Sequence, residues 1–384
     1  MSALIRNAAN KAGFSTTSKG TNEMTSLIEQ LTRETNVLNR KRIMGVALHL
    51  LCDILEKPLN SLEGMIRKIT GYTGQGGIQH PLFPEGKNLE KLRARIIGTA
   101  VSDCQIRGSK GLIYFENDVE RIERFQQTLS NFGKFPVKKK FRKDKGVNEV
   151  YINNVICSAV IHWGIPRGDR TILNYGLPDD TRDWCVDSKR ALIQDMISQE
   201  GCVSDNGEIS WERRHALRMG TKKSRSYDLV PRIDDRAVWF LQNSEEMNRE
   251  YESSAIGEVF ITISHLKELL ESGEKNYPVH ARDILHAVEG YPNQLIIDEV
   301  AIVREFGLKV ELDPVLVSYY KSGRVSVRWR ARIRENESKI KSAFLIRPNH
   351  EKKALKQDTW IATQPVEQVM KIKSELINAG FHII

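Results

Sequence analysis

The chain has little of what most readily betrays a chemistry. Its five cysteines, Cys52, Cys104, Cys157, Cys185 and Cys202, form neither a CxxC pair nor an even framework. That excludes a disulfide-stapled secreted domain and a cysteine zinc site, and it fits a reduced, intracellular setting. The longest apolar run, IMGVALHLLCDIL (residues 43–55), is too short to span a bilayer and carries a His and an Asp. The expectation is a soluble protein with no membrane partner. His162, His215, His265, His280 and His286 fall in different expected elements without HxxxH or Cys/His spacing, so no histidine metal centre is expected. There is no GxSxG nucleophile elbow and no dinucleotide fingerprint. A GQGG at residues 74–77 lacks the lysine and hydroxyl of a phosphate loop and reads as a turn.

Positive charge is what the chain does have. Lys and Arg number 58 against 49 Asp and Glu, a net charge of +9 with a pI near 9.2, so the expected partner is a polyanion, nucleic acid ahead of a membrane surface. At 384 residues the chain holds two or three modest domains, or one duplicated domain with an extension. The first twenty residues carry Arg6, Lys11 and Lys19 among Ser and Thr with no acid. Both a disordered tail and an organellar transit segment have this composition, so the expected location is the cytoplasm or nucleoid, with an organelle as the alternative.

Hydrophobic spacing divides the rest. Residues 1–25 read as a tail and 26–87 as a small helical module followed by a Gly- and Pro-rich linker. Residues 88–187 and 188–384 then read as two copies of one helix, strand and helix unit, the second longer and carrying a C-terminal extension. HEKKALKQDTWIATQ (residues 350–364) reads only as a solvated connector, and SAIGEVF ahead of SHLKELLESG reads as helical.

The duplication centres on two apolar helices that end on acids, ARIIGTAVSDC (residues 94–104) and RALIQDMISQEG (residues 190–201). In the first, Ala94, Gly98 and Ser102 stand four apart, a small-residue stripe that lets another helix approach closely. In the second, Ala191 and Ser198 lie near one face. Parallel pairing of the two helices brings Asp103 and Glu200 out side by side. Two carboxylates at the negative end of two helix dipoles repel unless a divalent cation or a shared proton compensates them, and oxygen ligands with retained waters suit Mg²⁺.

IIGTAVSDC (residues 96–104) and IQDMISQEG (residues 193–201) resemble the two signatures of the LAGLIDADG homing endonuclease family. Gly98 falls on the family's glycine and Asp103 on its catalytic acid; Glu200 and Gly201 match the second acid and closing glycine. The separation of 97 positions from Asp103 to Glu200 suits one repeat of a single-chain, two-repeat member. GIPRGDRTILNYGLP (residues 164–178) resembles the segment leading into the second signature. The sequence departs from the pattern in three places: Cys104 replaces a closing glycine, Asp195 an inner glycine, and Arg170, with Arg167 as the alternative, stands where a lysine is usual. The resemblance implies an α+β fold of two pseudo-symmetric αββαββα repeats. It also implies a Mg²⁺ (or Mn²⁺) site at Asp103 and Glu200, assisted by the backbone carbonyls of Cys104 and Gly201, with Arg170 supporting the scissile phosphate.

A basic surface is expected beside that site. In GRVSVRWRARIRE (residues 323–335), alternation sets Val325, Val327, Trp329, Ala331 and Ile333 on one face. Arg324, Arg328, Arg330, Arg332 and Arg334 lie on the other, with no acid interrupting them. Lys138, Lys139, Lys140 and Arg142 make a second basic set in a hairpin or loop, and Arg213, Arg214, Arg218, Lys222 and Lys223 a third, so basic surface is expected in both halves, as a saddle over duplex DNA requires.

The expected function is therefore site-specific, Mg²⁺-dependent cleavage of double-stranded DNA by a monomer. A non-cleaving nucleic-acid binder on the same fold, either a transcription regulator or a maturase acting on intron RNA, is the alternative, and a structural or membrane-surface protein a third.

Overall fold

The computed structural model describes residues 52, 58–64, 66–69, 77–107, 111–168, 170–217, 258–271, 280–320, 325–381 and 383. Most of the expected helical module, the tail before it, and Arg218, Lys222, Lys223 and Arg324 lie outside them. The described chain is a mixed α+β protein with antiparallel sheets. It falls into two compact units, one of Met1–Ile96 and Cys104–Val160, the other of Ile97–Asp103 and Ile161–Ile384.

In the first unit β1 (Lys68–Ile69), a strand at the end of the stretch expected to be helical, pairs antiparallel with β2 (Ile78–Gln79) of the expected linker. The helix α1 (Gly86–Asp103) starts here and ends in the second unit. Then follow β3 (Cys104–Ile106), β4 (Leu112–Phe115), α2 (Val119–Ser130), β5 (Lys138–Arg142), β6 (Val147–Ile152) and α3 (Asn154–His162). The strand order is β3-β4-β6-β5. α2 starts where Asp118 accepts from the amides of Glu120 and Arg121. Its Ile122, Phe125 and Leu129, spaced three and four apart, are buried, and Phe125 meets Tyr114 of β4 edge to face at 5.1 Å.

The second unit holds the last turns of α1, a short helix α4 (Arg170–Leu173), α5 (Val186–Glu200), β7 (Cys202–Val203), β8 (Ile209–Ala216), β9 (Glu258–Thr262), α6 (Ile263–Glu271) and α7 (His280–Gly290). After these come α8 (Gln294–Glu305), β10 (Glu311–Tyr320), β11 (Val325–Ile333), α9 (Asn336–Leu345), α10 (Glu351–Ile361) and α11 (Val366–Asn378). Its sheet runs β7-β8-β11-β10-β9. The two sheets thus share one connection rule: the second strand of the first hairpin pairs with the second strand of the next, and that strand with its own hairpin partner.

Two further expectations about single segments fail here. Glu258–Thr262 is a strand, not helix; its GEVFIT sequence carries a β-branched and aromatic run that favours a sheet edge. Residues 350–364 hold a helix, α10, with Gln357 and Trp360 buried, not a solvated connector. Trp360 covers Gly207, whose φ of +77° and whose close approach to the indole leave no room for a Cβ.

Candidate functional site at two helix ends

Both acids take the positions their sequence predicts. Asp103 is the last residue of α1 and Glu200 the last of α5. Each is followed at once by extended backbone, with Cys104 opening β3 and Gly201 preceding β7. Gly201 has an ordinary negative φ, yet a Cβ there would sit 2.7 Å from Ile197 O, so the turn out of α5 needs glycine for space.

The two helices meet at Gly98. A Cβ at that position would stand 2.8 Å from Leu192 O and 3.3 Å from Asp195 Cβ, so the α5 backbone rests where a side chain would be. Gly98 precedes Asp103 by five residues and Asp195 precedes Glu200 by five; contact is made at matching depths. Asp195 does not hold the helices apart, because its carboxylate accepts from Asn349 Nδ2 at 2.7 Å. Ala94 and Ala191 are buried. Ser102 and Ser198 turn their hydroxyls back onto Gly98 O and Gln194 O, and Ser198 also receives the Asn349 amide at 2.7 Å.

Arg213 of β8 ties the two ends together. Its Nη2 donates to Ser102 Oγ at 3.3 Å and its Nη1 stands 3.3 Å from Glu200 Oε1. One guanidinium reaching the last turn of each helix means that the carboxyl ends of α1 and α5 lie at the same end of the pair. The same guanidinium is held by Glu299 of α8, with Nη2 at 2.8 Å and Nε at 3.0 Å from Oε1, while Trp211 Nε1 donates to Glu299 Oε2 at 3.1 Å. Burial penalises the Arg213 charge, but Glu299 and then Glu200 more than reverse this and raise its pKa above an ordinary arginine's. Burial likewise pushes the Glu299 carboxyl up, against the pull of Arg213.

Two further cations bond carbonyls in the last turns of the helices, at the negative end of each dipole. Arg170 Nη1 donates to Ala100 O at 2.5 Å and to Tyr175 Oη at 3.2 Å. Lys353 Nζ donates to Ser198 O at 2.7 Å, Ile197 O at 2.9 Å and Gln199 O at 3.4 Å. Three cations, Arg170, Arg213 and Lys353, thus serve the ends of the two helices, and of the two terminal acids Glu200 has a cationic partner in Arg213.

Three assignments are corrected. Arg213 is not a surface cation for DNA: it is 6% exposed and lies on the inner face of β8 with Ile209, Trp211 and His215. Its alternation with Trp211 and Ile209 was the available signal. The arginine face of β11 is not uncompensated. Alternation is as read, but Glu212 of β8 bonds Arg330 at 2.5 Å and Arg328 at 3.3 Å, Asp313 of β10 bonds Arg332 at 2.9 Å, and Glu208 bonds Arg334 at 3.1 Å. Glu212 and Asp313 sit on neighbouring strands and Glu208 just ahead of β8, all invisible in the β11 sequence. Arg142 is also engaged, with Asp144 at 2.5 Å and Glu149 at 2.9 Å, and its hydrogen bond holds the Asp144 carboxyl down to about 2.

What is left of the basic surface is specific. Lys138, Lys139 and Lys140 are exposed on β5, the edge strand of the first unit's sheet. On the outer face of the second sheet, Arg214 stands directly opposite Arg328 in register, and Arg328 shares the single carboxylate of Glu212 with Arg330. Glu299 and Lys353 escaped the sequence reading. Glu299 sits within the apolar stripe of α8, among Leu295, Ile296, Val300 and Val303, and an acid in such a stripe was the signal. Lys353 gave none. No protein-family model and no curated protein matches the chain.

Proposed function

We propose that the chain is a site-specific double-stranded DNA endonuclease of the two-repeat LAGLIDADG type, acting as a monomer with Mg²⁺ or Mn²⁺. The observation that carries this reading is the single guanidinium of Arg213, which reaches the last turns of both acid-ended helices and so sets Asp103 and Glu200 at one end of a tightly packed pair. The strand order common to the two sheets, each following one of those helices, supports the two-repeat architecture. No described helix is long and apolar enough to cross a membrane, and the exposed lysines on β5, with Arg328 and Arg330 sharing the single acid Glu212, leave positive charge on both sheets for phosphate contact.

The donor chemistry suits a divalent ion: hard carboxylate oxygens at two negative helix ends, with the Glu200 side chain 33% exposed. Asp103 and Glu200 would hold it, and when bound it supplies positive charge at the scissile phosphate and a more acidic water. The chain's own residues do the positioning. Arg213 fixes the Glu200 carboxylate, Lys353 caps α5, and Arg170, anchored on Ala100 O, places a permanent cation beside the last turn of α1.

One observation favours a second reading, a non-cleaving DNA- or RNA-binding protein of the same fold: Glu200 already has a cationic partner in Arg213. Exposure of the purified chain to a randomised duplex library with Mg²⁺, sequencing both cut ends and retained fragments, separates the two. Discrete cuts support the endonuclease; specific retention without cuts supports the binder and overturns cleavage.

A further inference from the structure

We infer that Arg213 is a positioning residue that serves as the resident counter-cation of Glu200, fixing its carboxylate and setting how tightly a divalent ion binds at the helix ends. This rests on the endonuclease reading. Arg213 is 6% exposed whereas the Glu200 side chain is 33% exposed, so the carboxylate meets the guanidinium on its closed side and an ion would approach from its open side. A surface arginine could swing away when an ion arrives. Arg213 cannot, because the fully buried Glu299 grips it through both Nε and Nη2 and is itself fixed by the Trp211 indole. The hydrogen bond to Ser102, whose hydroxyl is bonded to Gly98 O, locks the same group to α1.

The consequence is electrostatic. Arg213 divides one positive charge between a buried carboxylate and a functional one, so Glu299 controls how much of that charge Glu200 feels. A guanidinium offers no exchangeable ligand position and keeps its proton, so it neither activates water nor replaces the metal; it competes with the metal's charge. Removing both members of the buried pair frees Glu200 for the ion without stranding a buried charge. Replacing Glu299 alone by the isosteric amide leaves Glu200 as the only carboxylate bonded to Arg213 among the described residues.

The test is Mn²⁺ titration of the full chain, without DNA, by isothermal titration calorimetry. Arg213→Met/Glu299→Leu is expected to lower the Kd for Mn²⁺ at least tenfold, and adding Glu200→Gln should erase that gain. Glu299→Gln is expected to raise the Kd at least threefold, and it decides the matter if the double variant fails to fold by circular dichroism. Affinities within twofold of the parent chain overturn the inference, as does a gain that survives Glu200→Gln. The endonuclease reading is judged separately by cutting of duplex DNA. A shifted Kd with no cutting refutes that reading alone, and cutting with unshifted Kd refutes the role of Arg213 alone.

Discussion

Replacement of Gly98 tests the helix packing on which the site is built. An added Cβ would stand 2.8 Å from Leu192 O, about half an ångström inside the usual closest carbon–oxygen separation. The obstacle is a helical carbonyl, which has no rotamer to escape into. Alanine gains about 1 kcal/mol of helix propensity over glycine, while overpacking a tight interface costs about 1–3 kcal/mol. The net expectation for Gly98→Ala is a loss of about 1 kcal/mol, and for the branched Gly98→Val a loss of about 3 kcal/mol. Gly290, the exposed last residue of α7, supplies the control, because a Cβ there meets nothing within 4 Å. Gly290→Ala should be neutral or stabilising. Urea denaturation of the three variants beside the parent chain measures this, and Gly98→Ala matching Gly290→Ala in sign and size would refute the close approach.

Other expectations follow from the same neighbourhood. His215 is 1% exposed, donates through Nε2 to Tyr291 O at 2.8 Å and has no hydrogen-bond partner at Nδ1 among the described residues, and burial pushes its pKa down to about 4. A depressed pKa stabilises the fold above the unfolded value of about 6.5, and that stability is lost as pH falls towards 4; between pH 7.5 and 5 the chain should lose about 2 kcal/mol. A pH series of denaturation midpoints checks this, and His215→Gln should flatten it. Lys353→Met strips the donor from three carbonyls of α5 and should cost about 1–2 kcal/mol in urea denaturation; an unchanged midpoint would refute the capping role. Charge reversal at Arg328 and Arg330 should weaken duplex binding and lower the slope of log affinity against log salt by about one for each phosphate no longer neutralised. An unaltered slope would turn that face away from DNA.

The sequence made the acid-ended helices legible because their signal is local: helical spacing, small residues four apart, and a break after each acid. Both helices end on the residues expected, and Gly98 makes the close approach its lack of a side chain allows. Alternation likewise sorted the faces of β11. What could not be read was partnership across strands and helices. Arg213 reads as one more surface cation until Glu299, 86 positions away, is seen to hold it, and the β11 arginines look unopposed because Glu212 and Asp313 belong to other strands. Lys353 lies in a segment without apolar periodicity strong enough to announce a helix, so its place beneath α5 depends wholly on tertiary packing.

The central claim is that Asp103 and Glu200 form one metal-dependent hydrolytic site. Its most direct test is cutting of a selected duplex by the parent chain and by Asp103→Asn and Glu200→Gln, with DNA affinity measured in parallel. The account predicts that each substitution abolishes Mg²⁺-dependent cutting while affinity is kept or raised, since a negative charge near phosphate is removed. Cutting that survives in both variants would contradict it.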